Sequence, residues 1–225
     1  MMSDLMKVEM TKPVAIMCFS SGCGGMERSA VRLAQFLSAV TNVVLVCKKK
    51  SFTEKLYQDE GSEFSCETVN FRSRLFSPAM LFKAREVIDK YGIENVIFFG
   101  ASELKTLHFY FLGEDIYHIV WHGTTKSKPK RDFIHRLIYS DVNYHVALSS
   151  HLRNDVMNIV PIMSANKYLV IRPSFDFEAS SHDSGAGNAA INIVHVGRIA
   201  KGKGRVDKVV GSLQVAVYRN GIGYG

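Results

Sequence analysis

Short, β-branched apolar runs alternate with helix-period stretches along most of the chain, and this alternation restricts the fold more than any other feature. Val14 to Phe19 is one continuous apolar run, the pattern of a strand buried on both faces. Behind it, Ala30, Leu33, Ala34 and Leu37 fall on one helical stripe. Val43 to Val46 is a second apolar strand. Residues 63–71 hold a third, where Glu63, Ser65 and Glu67 alternate with apolar partners, as suits a place near a sheet edge. Pro78 opens a helix in which Leu81, Ala84, Ile88 and Tyr91 share a face, and Gly92 ends it. The alternation continues with a strand at Asn95 to Phe99, a helical stripe of Leu104, Leu107 and Phe111, and a strand at His118 to His122. Phe133, Ile134, Leu137 and Ile138 mark a further helix, and Tyr144 to Leu148 a strand. The next helix is capped by Ser149 or Ser150, and Tyr168 to Ile171 is one more strand. Strands alternating with helices imply right-handed crossovers, so the predicted class is α/β with a doubly wound, mostly parallel sheet.

At roughly 150 residues per domain, 225 residues amount to about one and a half domains. Residues 1–176 carry the alternation and are expected to form one domain. Residues 177–190, rich in Ser and Gly, read as a linker. Residues 191–225 then begin again with a strand at Ile191 to Val196, a glycine-rich basic loop and a helical stretch from Val206 to Arg219. One strand and one helix cannot bury a core, so this segment is expected to be the opening of a second domain. No apolar run approaches the roughly 20 residues of a membrane helix, and Met1 to Lys12 lacks an apolar signal core. The expected location is cytoplasmic, with peripheral contact at the inner face of the plasma membrane.

Lys plus Arg number 28 against 21 Asp plus Glu, a net charge of +7 that favours anionic partners. Lys126, Lys128, Lys130, Arg131 and Arg136 form the densest basic stretch, while Arg72 and Arg74 alternate with Phe71, Leu75 and Phe76. Mixtures of that kind suit an acceptor or an anionic membrane surface, with Arg72, Arg74, Lys128 and Arg131 as the contacts. No nucleic-acid module accompanies the charge. Cys18 and Cys47 sit in apolar runs as small hydrophobes, and no cysteine–histidine spacing suggests a metal. Oligomeric state is left open.

Three places are suited to chemistry. The first βα turn, Ser20-Ser21-Gly22-Cys23-Gly24-Gly25-Met26-Glu27-Arg28, lets backbone approach an anion at a helix N-terminus. A nicotinamide fingerprint needs glycine at position 27, where Glu stands, and Lys48, Lys49 and Lys50 replace the acidic residue expected after the second strand. Those lysines leave NADP open as an alternative. His122, in Val120-Trp121-His122-Gly123-Thr124, lies at the carboxyl end of a strand, the edge that lines the ligand crevice of an open α/β sheet. Trp121 beside it reads as core. The third place is Val196-Gly197-Arg198-Ile199-Ala200-Lys201-Gly202-Lys203-Gly204, where Arg198 and Lys203 suit a phosphate.

Strand, Gly197-Arg198, a short spacer and Lys203-Gly204 resemble the donor-diphosphate loop that opens the second domain of retaining family-four glycosyltransferases. Gly24-Gly25-Met26-Glu27-Arg28 is similar to that family's first glycine loop, and Ser140-Asp141 with Ala147-Leu148-Ser149 resembles a strand and helix start late in its first domain. The resemblance implies the two-lobed GT-B architecture, with a Rossmann-like acceptor lobe first. It implies transfer of a sugar from a nucleotide-sugar donor to a hydroxyl of a cell-surface or lipid-linked glycan, such as lipopolysaccharide core or capsule. Configuration would be retained, with no cofactor and no essential metal. On this resemblance His122 is the catalytic residue at the reacting centre. Gly24 and Gly25 approach the donor phosphates, and Arg198 with Lys203 neutralises the leaving diphosphate. The family's paired-glutamate motif is absent, so the chain is expected to be an inactive amino-terminal portion. The alternative is a non-catalytic lobe that binds glycan or anionic lipid.

Overall fold

The computed structural model describes residues 11–61, 63–72, 77–100, 104–111, 115–124, 129–130, 132–160 and 167–172, all within one compact unit, Met1–Phe175. The expected linker and second-domain segment, 177–225, lie outside the described residues. Seven strands form a single sheet: β1 (Thr11–Cys18), β2 (Thr41–Lys48), β3 (Ser65–Val69), β4 (Asn95–Phe99), β5 (Tyr117–His122), β6 (Tyr144–Ala147) and β7 (Tyr168–Val170). Their spatial order is β3-β2-β1-β4-β5-β6-β7, and every pairing is parallel. The chain winds outward from β1 in one direction, then returns and winds in the other, so the sheet is doubly wound as the sequence predicts.

Alternation along each strand divides the core in two. Ala15, Met17 and Phe19 face one cluster with Val96, Phe98 and Val120, whereas Val14, Ile16 and Cys18 face the other with Leu45, Ile97 and Trp121. Helices α1 (Gly25–Ser38) and α2 (Phe52–Asp59) cover the second cluster through Ala30, Val31, Ala34 and Leu56. The first is covered by α3 (Pro78–Tyr91), α4 (Leu104–Phe111), α5 (Phe133–Ser140) and α6 (Ser150–Ile159). A sheet buried on both faces needs strands that are apolar throughout, which is why β1, β2 and β4 read as unbroken apolar runs.

Local chemistry sets the boundaries. Pro78 stands at the start of α3, and Gly92 ends it in the left-handed region at φ 60°, where a side chain would be strained. Ser149 is the cap of α6, its Oγ accepting from Leu152 N at 3.1 Å. Helix α2 leaves no apolar period in the sequence, because its eight residues bury only Thr53 and Leu56. Its sequence signal is the Ser-x-x-Glu spacing of a helix start: Ser51 Oγ accepts from Glu54 N at 3.3 Å, and the Glu54 carboxylate accepts from Lys50 N, one residue before the cap. In α5 three of the four residues of the expected stripe face outward. Ile138 and Tyr139 are buried, while Phe133 is 78% and Ile134 64% exposed, with Leu137 exposed as well.

The edge position of β3 holds as expected, and Glu67 ties that edge to α3. Its carboxylate accepts from Lys83 and Lys90, both at 2.8 Å, and from Tyr91 Oη at 2.8 Å. Hydrogen bonds from Lys83 and then Lys90 hold its acid strength high, with a pKa near 2. The folded chain therefore binds this proton more weakly than the unfolded chain does, and the stabilisation is complete above pH 4.5 and lost as pH falls toward 2. Glu67→Gln is expected to cost about 1–2 kcal/mol at pH 7. Urea unfolding at pH 7 and at pH 3 checks this: the gap between variant and parent narrows at the lower pH.

Candidate functional site

All seven carboxyl ends lie along one edge of the sheet, and the winding reverses between β1 and β4, where open α/β sheets form their ligand crevice. The glycine turn leaves β1 at this edge. Gly22 N donates to Ser20 Oγ at 3.0 Å, and Gly24 is the N-cap of α1 in extended conformation, with no side chain capping the helix. Lys48, at the end of β2, donates from Nζ to Ser21 Oγ at 3.3 Å and lies 5.3 Å from the Phe71 ring centroid. Arg72, the next residue along from that ring, is exposed. Glu27, where a dinucleotide fingerprint has its third glycine, is buried in the first turn of α1. A Cβ on Gly22 would meet Glu27 Oε1 at 3.2 Å and Ser20 Oγ at 3.3 Å, whereas one on Gly25 would meet nothing within 4 Å. The chain's own packing thus leaves little room for a side chain at 22 and open space at 25.

His122 closes β5 at the same edge, half-buried, and lines a small, open cleft with Thr124, Lys130, Tyr139, Val156, Ile159 and Val160. Polar groups occupy one wall, and the end of α6 supplies an apolar one. Lys130 Nζ donates to Tyr139 Oη at 3.0 Å, and burial pushes the Tyr139 phenol well above its ordinary range, so it stays protonated. No carboxylate lines the cleft among the described residues, which makes it suited to a neutral or anionic group.

Behind His122 stands His145, which no motif in the sequence marks. Its Nδ1 lies 2.8 Å from His122 Nε2, and the two rings meet edge to edge, with centroids 5.1 Å apart and planes inclined by 29°. Burial, with the neighbouring His122 and Lys167, pushes the His145 imidazole down to about 2, so it is neutral at any physiological pH. Its sequence signal was a histidine at the inward-facing position of an apolar strand. The other two buried histidines among the described residues sit elsewhere. His108 Nδ1 meets Asp141 Oδ2 at 3.2 Å, and His118, lowered by burial, packs against Phe98 and Phe111 near the amino end of β5.

The structure brings Gly24, Gly25 and His122 to one sheet edge and leaves Arg72 exposed. Arg74, Lys128, Arg131, Arg198 and Lys203 lie outside the described residues. Among the described residues, no group of three or more His, Cys, Asp or Glu side chains is placed to hold a metal ion. Trp121 is core, as expected, stacked on Phe99 at 5.3 Å.

No protein-family model matches the chain, and no curated protein does. Solved structures match it at low identity. Anabaena Alr3699/HepE in complex with UDP-glucose gives a TM-score of 0.58 at 12% identity, covering 74% of this chain and 45% of that one. A glycosyltransferase from Rickettsia africae ESF-5 gives 0.53 at 15%, covering 72% and 42%. The lipopolysaccharide outer core galactosyltransferase WaaB, in its apo form, gives 0.51 at 15%, covering 75% and 47%. These neighbours are GT-B glycosyltransferases, and this chain has the α/β fold of part of them, spanning less than half the length of each.

The two glycines give a test of the turn. Gly25→Ala is expected to leave stability within about 0.5 kcal/mol, while Gly22→Ala, whose Cβ crowds Glu27 Oε1 and Ser20 Oγ, is expected to cost more than that. Thermal unfolding of the two variants side by side checks the order.

Proposed function

We propose that the chain is the acceptor-side lobe of a retaining glycosyltransferase of GT-B architecture. It would act on a nucleotide-sugar donor and a hydroxyl of a cell-surface or lipid-linked glycan, without cofactor or essential metal. One observation carries the reading: His122 ends β5 in a cleft that no carboxylate lines among the described residues, on the crevice edge of a sheet shared with GT-B enzymes. HepE was solved with UDP-glucose, which supports a nucleotide-sugar as the donor class to test first. In this reading His122 faces the donor sugar or reacting centre, and Gly24 and Gly25 admit donor phosphates beside the uncapped N-terminus of α1. Arg198 and Lys203 neutralise the departing diphosphate, and Arg72, Arg74, Lys128 and Arg131 contact the acceptor or the membrane.

Most donor contacts in this architecture come from a second lobe, so the 225-residue chain by itself is expected to bind acceptor without turnover. Calorimetric titration with lipopolysaccharide core oligosaccharide should give saturable binding that His122→Ala weakens about tenfold, or about 1.4 kcal/mol. Sugar transfer from UDP-glucose by the isolated chain would overturn the expected inactivity, and binding indifferent to His122→Ala would overturn the site.

The outward face of α5 favours a second element of the reading. Phe133, Ile134 and Leu137 are exposed together beside Arg136, a combination that inserts apolar side chains into an anionic bilayer while the cation meets the headgroups. The protein would then work at the inner face of the plasma membrane, or serve there as a non-catalytic lobe for glycan or anionic lipid. Cosedimentation with phosphatidylglycerol vesicles is expected to fall several-fold in the double variant Phe133→Ser/Ile134→Ser, and to be weak on phosphatidylcholine alone.

A further inference from the structure

The geometry of the histidine pair fixes its proton count. His122 Nε2 and His145 Nδ1 are 2.8 Å apart, so a single proton lies between them. The His145 ring is 1% exposed and enclosed by Tyr168 at 5.4 Å, Tyr139 at 5.8 Å and His122 itself. Its far nitrogen, Nε2, meets no hydrogen-bond partner among the described residues. A proton placed there would be a buried donor without an acceptor, a rarer and costlier orphan than a bare lone pair. The proton of neutral His145 therefore belongs on Nδ1, from which it is donated to His122.

We propose that His145 is a positioning residue that holds His122 in the Nδ1–H tautomer, so that His122 meets its ligand as a hydrogen-bond donor and not as a base. Protonating His122 on Nε2 would place a second proton between the rings. His145 would have to move its own proton to the orphaned Nε2, and that cost opposes the charge. The surrounding groups act in the same direction. Lys130 and the protonated Tyr139 face the pair from the α5 side, Lys167 and Tyr168 from the start of β7, and the end of α6 with its cap presents Val156, Ile159 and Val160 to the cleft. Any polar contact this ring makes with a ligand through its other nitrogen is a donated one, to a hydroxyl, phosphate or carbonyl oxygen. That last step rests on the reading of His122 as substrate-facing; the tautomer itself does not.

Long-range ¹H–¹⁵N spectra of the full 225-residue chain, labelled at histidine, test this without any substrate. Signals lost in His122→Gln assign that ring. At pH 7 the parent is expected to show His122 neutral with Nδ1 protonated and Nε2 accepting. In His145→Asn the amide can turn either edge toward His122. The tautomer preference is then expected to vanish and the midpoint to rise by about one pH unit, a tenfold change in proton affinity. A parent spectrum with His122 charged or protonated on Nε2 at pH 7 overturns the proposal, even if His145→Asn does not fold. So does a folded His145→Asn with tautomer and midpoint unchanged. Because no turnover is read, failure of the transferase reading would leave this result standing, and the reverse holds too.

Discussion

A parallel sheet covered on both faces gives each polar side chain on it one of two fates, and the rest of the molecule follows from that. In mid-strand an inward-facing polar group is sealed under helices and needs a partner or must stay uncharged. At a carboxyl end the same group opens onto the crevice edge. His118 and His122 are four residues apart on β5 and point to the same face. Near the amino end His118 is enclosed by Phe98 and Phe111, whereas His122 lines a cleft. Residue type is the same; position along the strand decides between core and site.

Strand identity was legible in the sequence because burial on both faces leaves unbroken apolar runs, as at Val14 to Phe19. The edge place of β3 was legible from its mixed pattern, and the end of α3 from Gly92. Helix α2 escaped because a short helix on a sheet margin buries too few side chains to impose a period; Ser51 and Glu54 announced it through capping instead. The face of α5 escaped for the opposite reason. Phe133, Ile134, Leu137 and Ile138 make a convincing stripe, yet the helix turns Ile138 and Tyr139 inward, and hydrophobicity alone does not say which apolar residues a helix hides.

His122 was readable from its place after an apolar run and before glycine. Its partner was not, because His145 is 23 residues away and meets it only through the pairing of β5 with β6, which sets Trp121 against Val146 and His122 against Ala147. Pairwise chemistry of that kind belongs to the register, and the register is written in no single stretch of sequence. The glycine turn is intermediate. Its residues are plain to read, but that Gly22 serves the fold through Glu27 and Gly25 serves no internal contact emerges only from the packing.

Trp121 is the chain's single tryptophan, and it stacks on Phe99 directly beside the residue that closes β5. Alternation puts its indole on the sheet face opposite His122, in the cluster covered by α1 and α2. The molecule thus carries one optical reporter, walled off from the cleft by the sheet's own thickness. Its emission can register a shift of the strand end without being quenched by direct collision with whatever occupies the far side.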